Sequence, residues 1–66
     1  MNYAQMYDDL SVYEYTLRQA EREYNSFVRQ GAWTDEMCYR VDMLNEIIQE
    51  CIDGINAIGE ILNENE

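Results

Sequence analysis

The sequence predicts an all-α fold, an antiparallel hairpin of two long helices that associates with a second copy into a four-helix bundle. Three observations predict it. An apolar series runs through Tyr3, Met6, Leu10, Tyr13, Leu17, Ala20, Tyr24 and Phe27 in alternating steps of three and four residues. A second runs through Met37, Val41, Leu44, Ile48, Cys51, Ile55, Ile58 and Leu62 in the same rhythm. Between the two lies one short break at Gly31, and the chain contains no proline.

The first helix is expected from about residue 3 to residue 30. Asn2 supplies an N-cap, and Gln5 three residues on makes an Asn/Gln form of the capping box. Met1 and Met6 occupy the positions of a hydrophobic staple. Ser11 with Glu14 is a second capping box, preceded by Asp8 and Asp9, and it offers a break near Leu10. The seam passes through that point without a miss, which favours one continuous helix. Gly31 follows Arg29 and Gln30, where a helix-ending glycine with positive φ belongs.

The turn spans residues 31–34. Thr34 then caps a second helix from about 35 to 62, with Asp35 and Glu36 in the first turn complementing its dipole. Trp33 precedes the cap, in the place of a staple residue. Gly54 and Gly59 each weaken this helix by ~1 kcal/mol relative to alanine. Residues 63–66 read as a loose polar tail. A connection this short makes the two helices, each roughly 42 Å long, antiparallel neighbours within a single domain.

Ile47 and Ile61 widen the second seam on one side and Ile52 on the other. A two-helix contact covers only the central strip. The uncovered apolar flank therefore predicts a homodimer, with burial of that flank in a target as the competing possibility.

Composition narrows the function. Fourteen acids against four arginines, with no lysine or histidine, give a net charge of −10. That sign argues against direct nucleic-acid binding and against anionic membranes. An apolar content of 47% in strict periodicity is not the composition of a disordered chain. Cys38 and Cys51 lie on one helix about 20 Å apart, beyond the reach of an intrachain disulfide. They read as reduced thiols, Cys51 filling the core. No stretch is apolar enough to span a bilayer and no secretory leader is evident, so a cytoplasmic protein is expected.

No catalytic constellation emerges. Without histidine there is no Ser–His–Asp triad and no H-E-x-x-H metal site, and neither a phosphate-binding glycine loop nor an EF-hand spacing is present. Glu50 and Asp53 stand three apart, as acids on any solvated helix do. We expect no enzyme activity, no metal and no cofactor.

Charge placement carries the functional information. Residues 1–33 carry a net charge of −2 and residues 34–66 a net charge of −8. On the second helix Asp35, Asp42, Glu46, Glu50, Asp53, Glu60 and Glu64 fall on the side opposite the seam. Arg18 and Arg22 stand where Glu14, Glu21 and Glu23 can pair with them on the first helix. The second helix and its tail have only Arg40 for nine acids, and Asp42, Glu46 and Glu50 repel at four-residue steps. A rigid row of anions every 6–10 Å or so attracts a surface built to hold nucleic acid. The same row also serves simply to keep a small bundle in solution. Tyr39 and Met43 flank it, and Tyr15 with Val12 projects from the far side of the first helix. Tyrosine and methionine in such places suit binding surfaces.

In size, charge and its acidic face the chain resembles the small acidic proteins that bacteriophages and mobile elements use against host machinery. These include inhibitors of CRISPR effectors, restriction enzymes and repressors, several of which mimic nucleic acid. The resemblance implies an anti-defence inhibitor acting in the host bacterial cytoplasm. The resemblance carries no residue over; charge placement on this chain is what nominates the seven acids with Tyr39, Met43 and Tyr15 to occlude a basic nucleic-acid-binding protein. The alternative is a structural or adaptor module that binds through the apolar flank.

Overall fold

The computed structural model describes residues 2–64. Helix α1 spans Tyr3–Gln30 and helix α2 spans Asp35–Glu64, packed against each other as a hairpin. Both starts are capped by the residues expected. The Asn2 side chain accepts from the Gln5 N–H at 3.1 Å, and the Asn2 carbonyl takes the first helical bond from the Met6 N–H. Only half of the capping box forms, because the Gln5 amide turns forward to Asp9 Oδ1 at 2.9 Å. Met1, its proposed staple partner, lies outside the described residues. At α2, Thr34 Oγ1 accepts from the Met37 N–H at 3.2 Å.

No break occurs near Leu10. Cap Asn2 and the unbroken seam outweigh the local Ser11–Glu14 signal, since helix propagation needs no new nucleus. Gly31 takes φ +78°, a region that costs a Cβ-bearing residue. Trp33 departs from its expected role. Its indole N–H reaches back 2.7 Å to the Phe27 carbonyl, in the last turn of α1. It therefore satisfies a carbonyl left without an intrahelical partner and fastens the turn to the helix it follows. Asn63 and Glu64 extend α2 rather than fraying into a tail, and Asn65 and Glu66 lie outside the described residues.

The seams pack as the spacing requires. Ala20, Val41, Leu44 and Cys51 are buried, and Leu44 is only 1% exposed. Every other seam residue is half-buried except Tyr3, which the first turn of α1 leaves exposed near the end of its partner helix. Cys38 is an exposed free thiol and Cys51 a buried one. Burial, followed by the neighbouring Glu50 charge, pushes the Cys51 thiol pKa up.

Gly54 has a purpose that propensity conceals. A Cβ built there lies 2.7–2.9 Å from three ring atoms of Tyr13. The ring of Tyr13 thus packs on bare backbone, and the missing side chain is what allows its approach. A Cβ at Gly59 meets nothing within 4 Å.

The rod measures 47 × 15 × 13 Å between Cα atoms, with a radius of gyration of 15.0 Å. A compact 66-residue domain has a radius near ~11 Å. The accessible surface is 5102 Å², where a compact monomer of this mass exposes roughly 4,400 Å². One hairpin alone leaves much of its surface uncovered.

Candidate interaction face

Packing by the two seams turns the far side of each helix outward, so the hairpin has two long outer edges of different charge. Asp35, Asp42, Glu46, Glu50, Asp53, Glu60 and Glu64 are all exposed along the α2 edge. From Asp35 to Glu64 they extend roughly 44 Å at 1.5 Å per residue. Consecutive acids stand about 4.5–10.5 Å apart along the axis. Among the described residues none of the seven takes part in an ion pair. Asp53 accepts a hydrogen bond from the Gln49 amide at 3.0 Å, which orients its carboxylate without neutralising it.

The one cation on α2 is directed elsewhere. Arg40 forks onto Glu23 of α1, Nε to Oε2 at 2.5 Å and the terminal nitrogen to Oε1 at 3.0 Å. The two residues sit at facing flank positions of the heptads, where antiparallel helices exchange charges. The hydrogen bond from Arg40 lowers the Glu23 pKa, against a smaller opposing effect of burial and with the guanidinium charge assisting. Arg40 so occupied makes no ion pair with Asp42 or Glu46.

Arg18 and Arg22 do not pair with Glu14, Glu21 or Glu23 as the spacing suggests. Among the described residues Arg40–Glu23 is the only ion pair. The more distant Arg40 wins Glu23 because a planar fork makes two parallel bonds, while an exposed pair along one helix gains little over hydration. Arg18, Arg22 and Arg29 therefore line the outer edge of α1 as free cations. The two sides differ in charge: the α2 edge is acidic throughout, whereas α1 mixes its three arginines with five acids.

Tyr39, 69% exposed, and Met43 lie on α2 beside the acids, Met43 toward the Ile47 flank. Tyr15 is also exposed, but on the α1 side facing away from α2, so it does not share a surface with the row. Val12 is not on that back; it borders a shallow hollow with Asp9 and Tyr13 on the flank. Missed in the spacing were the Glu23–Arg40 fork and the Tyr13–Gly54 contact. Shared heptad positions are the signal that points to the fork.

Among the described residues no group of three or more acids and cysteines converges to hold a metal ion. No described helix is long and apolar enough to cross a membrane. Comparison of the chain with protein-family models, curated proteins and solved structures finds no match.

Proposed function

We propose that the α2 edge binds the basic surface of a nucleic-acid-binding protein and blocks access to it, without catalysis. The observation that supports this reading is the row itself: seven exposed carboxylates on one rigid edge, none of them in an ion pair among the described residues. Like charges at four-residue steps destabilise a helix, and a surface shaped only for solubility intersperses both signs. The row averages one charge per roughly 7 Å of axis, against 3.4 Å for one strand of DNA. It competes by sign, rigidity and length rather than by copying phosphate positions. Pairing of two hairpins into a four-helix bundle belongs to this reading and doubles the anionic edge. A bacterial defence nuclease, such as a CRISPR effector or restriction enzyme, is the partner class we favour.

The test is inhibition of target-DNA cleavage by such nucleases at low and high salt. Inhibition that weakens steeply with salt is expected. Glu46→Lys combined with Asp53→Lys should abolish it, while Asn25→Lys on the α1 edge should not. Inhibition unchanged by the double reversal would sink the reading. The adaptor alternative draws on the exposed side chain of Ile52 and the half-buried Ile47 and Ile61. It expects binding insensitive to salt and lost in Ile47→Asp.

A further inference from the structure

The two broad faces of the hairpin are not equivalent. On one, the Glu23–Arg40 fork bridges the helices over a hollow of about 440 Å³ whose walls join Thr16, Gln19 and Ser26 with the apolar Ala20, Leu44 and Ile47. On the same side the Tyr13 ring closes over Gly54. Among the described residues the opposite face has no such bridge. There α2 presents a strip through Cys38, Asn45, Ile48, Ile52, Asn56 and Gly59 that contains no charged residue. On α1, half-buried Leu10 and Leu17 adjoin exposed Tyr3, Tyr7 and Val28.

We propose that this second face receives another copy of the same chain, with α1 of each hairpin lying antiparallel over α2 of the other. The inference rests on the pairing named under the proposed function and assigns its face and register. Charge selects the occupant. A molecule of net charge −10 meets its own copy at least cost across an uncharged strip. A basic partner is drawn instead to the acidic edge. Asparagine amides suit a twofold contact because each both donates and accepts, and a twofold interface must complement itself. Size agrees as well. The broad face covers about 700 Å² between Cα limits, and a standard interface takes roughly 800 Å² from each partner.

Charge also selects the register. Glu14 and Glu21 border this face on α1. Stacking α1 on α1 brings them against their own copies. Stacking α1 on α2 sets them over the neutral strip of Asn45 and Ile52. The Tyr13–Gly54 contact fixes relative heights within the hairpin. Six residues back from Tyr13 is about 9 Å, and five on from Gly54 about 7.5 Å in the same direction. Tyr7 therefore stands at the height of Gly59. A twofold axis along the rod preserves heights, so Tyr7 of one copy reaches Gly59 of the other. Gly59, where a single hairpin leaves the space beside the backbone empty to 4 Å around a Cβ, becomes the seat of an aromatic ring, as Gly54 already is.

Sedimentation equilibrium of the full chain over a concentration series tests this, with circular dichroism reporting helicity. Wild type is expected at twice 7.9 kDa. Ile52→Glu should raise the dimer dissociation constant at least about tenfold while the hairpin stays helical. Gly59→Ala should weaken the dimer although alanine favours the helix. Gln19→Glu, on the other face, should leave it unchanged. A wild type that remains monomeric at about millimolar concentration overturns the pairing itself, leaving binding to a basic surface standing. Dimers that survive Ile52→Glu but not Gln19→Glu overturn only the face. A tighter Gly59→Ala dimer overturns the register.

Discussion

Replacing Gly54 by alanine should destabilise the protein even though it removes a glycine from a helix interior. In an open helix the change gains ~1 kcal/mol. Here the new methyl would stand 2.7–2.9 Å from Cε1, Cε2 and Cζ of Tyr13. Carbon atoms prefer roughly 3.5–4.0 Å, so ring or helix must retreat by about 1 Å. Overpacking of this kind costs about 1–3 kcal/mol. The net expectation is a loss of up to about 2 kcal/mol, and each kcal/mol lost lowers Tm by about 4–8 °C in a domain of this size. Tyr13→Leu lacks the three offending atoms. In that background Gly54→Ala should turn stabilising by ~1 kcal/mol, so the coupling energy reads the contact directly. Thermal unfolding followed by circular dichroism at one fixed protein concentration is the assay, because association makes Tm concentration-dependent. If Gly54→Ala raises Tm equally in both backgrounds, Tyr13 does not pack on Gly54 and the helix register is wrong.

Three further outcomes follow from the charges and the turn. Adding sodium chloride should raise the Tm of the free protein, because screening relieves self-repulsion in a chain of net charge −10; a fall in Tm would mean that the Arg40–Glu23 attraction outweighs that repulsion. Glu23 has a lowered folded pKa, so its contribution is full above the unfolded value near ~4.3 and lost as pH falls through the folded one. The Tm gap between wild type and Glu23→Gln should accordingly hold from neutral pH to about 5 and close at lower pH; a gap that widens on acidification reverses the sign. Trp33→Phe keeps the ring but removes the bond to the Phe27 carbonyl, a loss of about 0.5–1.5 kcal/mol readable in the same thermal scan, and an unchanged Tm would show that the bond contributes nothing.

Much of the fold was legible because it is written locally. Asn2, Gly31 and Thr34 act within a turn of themselves, and the limits of α1 fall where they indicate. The seams needed only helical periodicity. Contacts between helices were harder, since they depend on the axial offset that spacing along one helix does not contain. Gly54 therefore reads as a weak point until Tyr13 is seen against it. Trp33 reads as a staple until its indole is found on Phe27. Arg18 and Arg22 read as paired because their neighbours allow it, whereas the fork of Arg40 takes Glu23 from the other helix. The acidic row was visible because it too is periodic, but only seam packing makes it an edge. Tyr15 reads with the row until α1 is seen to turn it away from α2, because sequence does not say which helix sides share a surface.

The row has a thermodynamic consequence that separates solubility from binding. Asp42–Glu46, Glu46–Glu50 and Glu60–Glu64 are like charges four residues apart, and Glu50–Asp53 three apart, none of them in an ion pair among the described residues. Each such pair destabilises the helix by about 0.2–0.5 kcal/mol. Glu46 takes part in two of them. Glu46→Lys turns both repulsions into attractions, a swing of roughly 0.8–2 kcal/mol at low ionic strength. It also brings the net charge from −10 to −8, counting one acid lost and one cation gained. The free protein should therefore unfold at a higher temperature, and the gain should shrink as salt is added. A row that serves only solubility tolerates this change, since −8 on 66 residues remains strongly charged. A row that binds a basic surface does not, because the lysine stands in the middle of the contact. Higher Tm together with weaker inhibition is the signature of an edge kept for its partner at the expense of its own helix. Higher Tm with inhibition intact would leave the carboxylates as solvated charge and move any binding to the apolar flank.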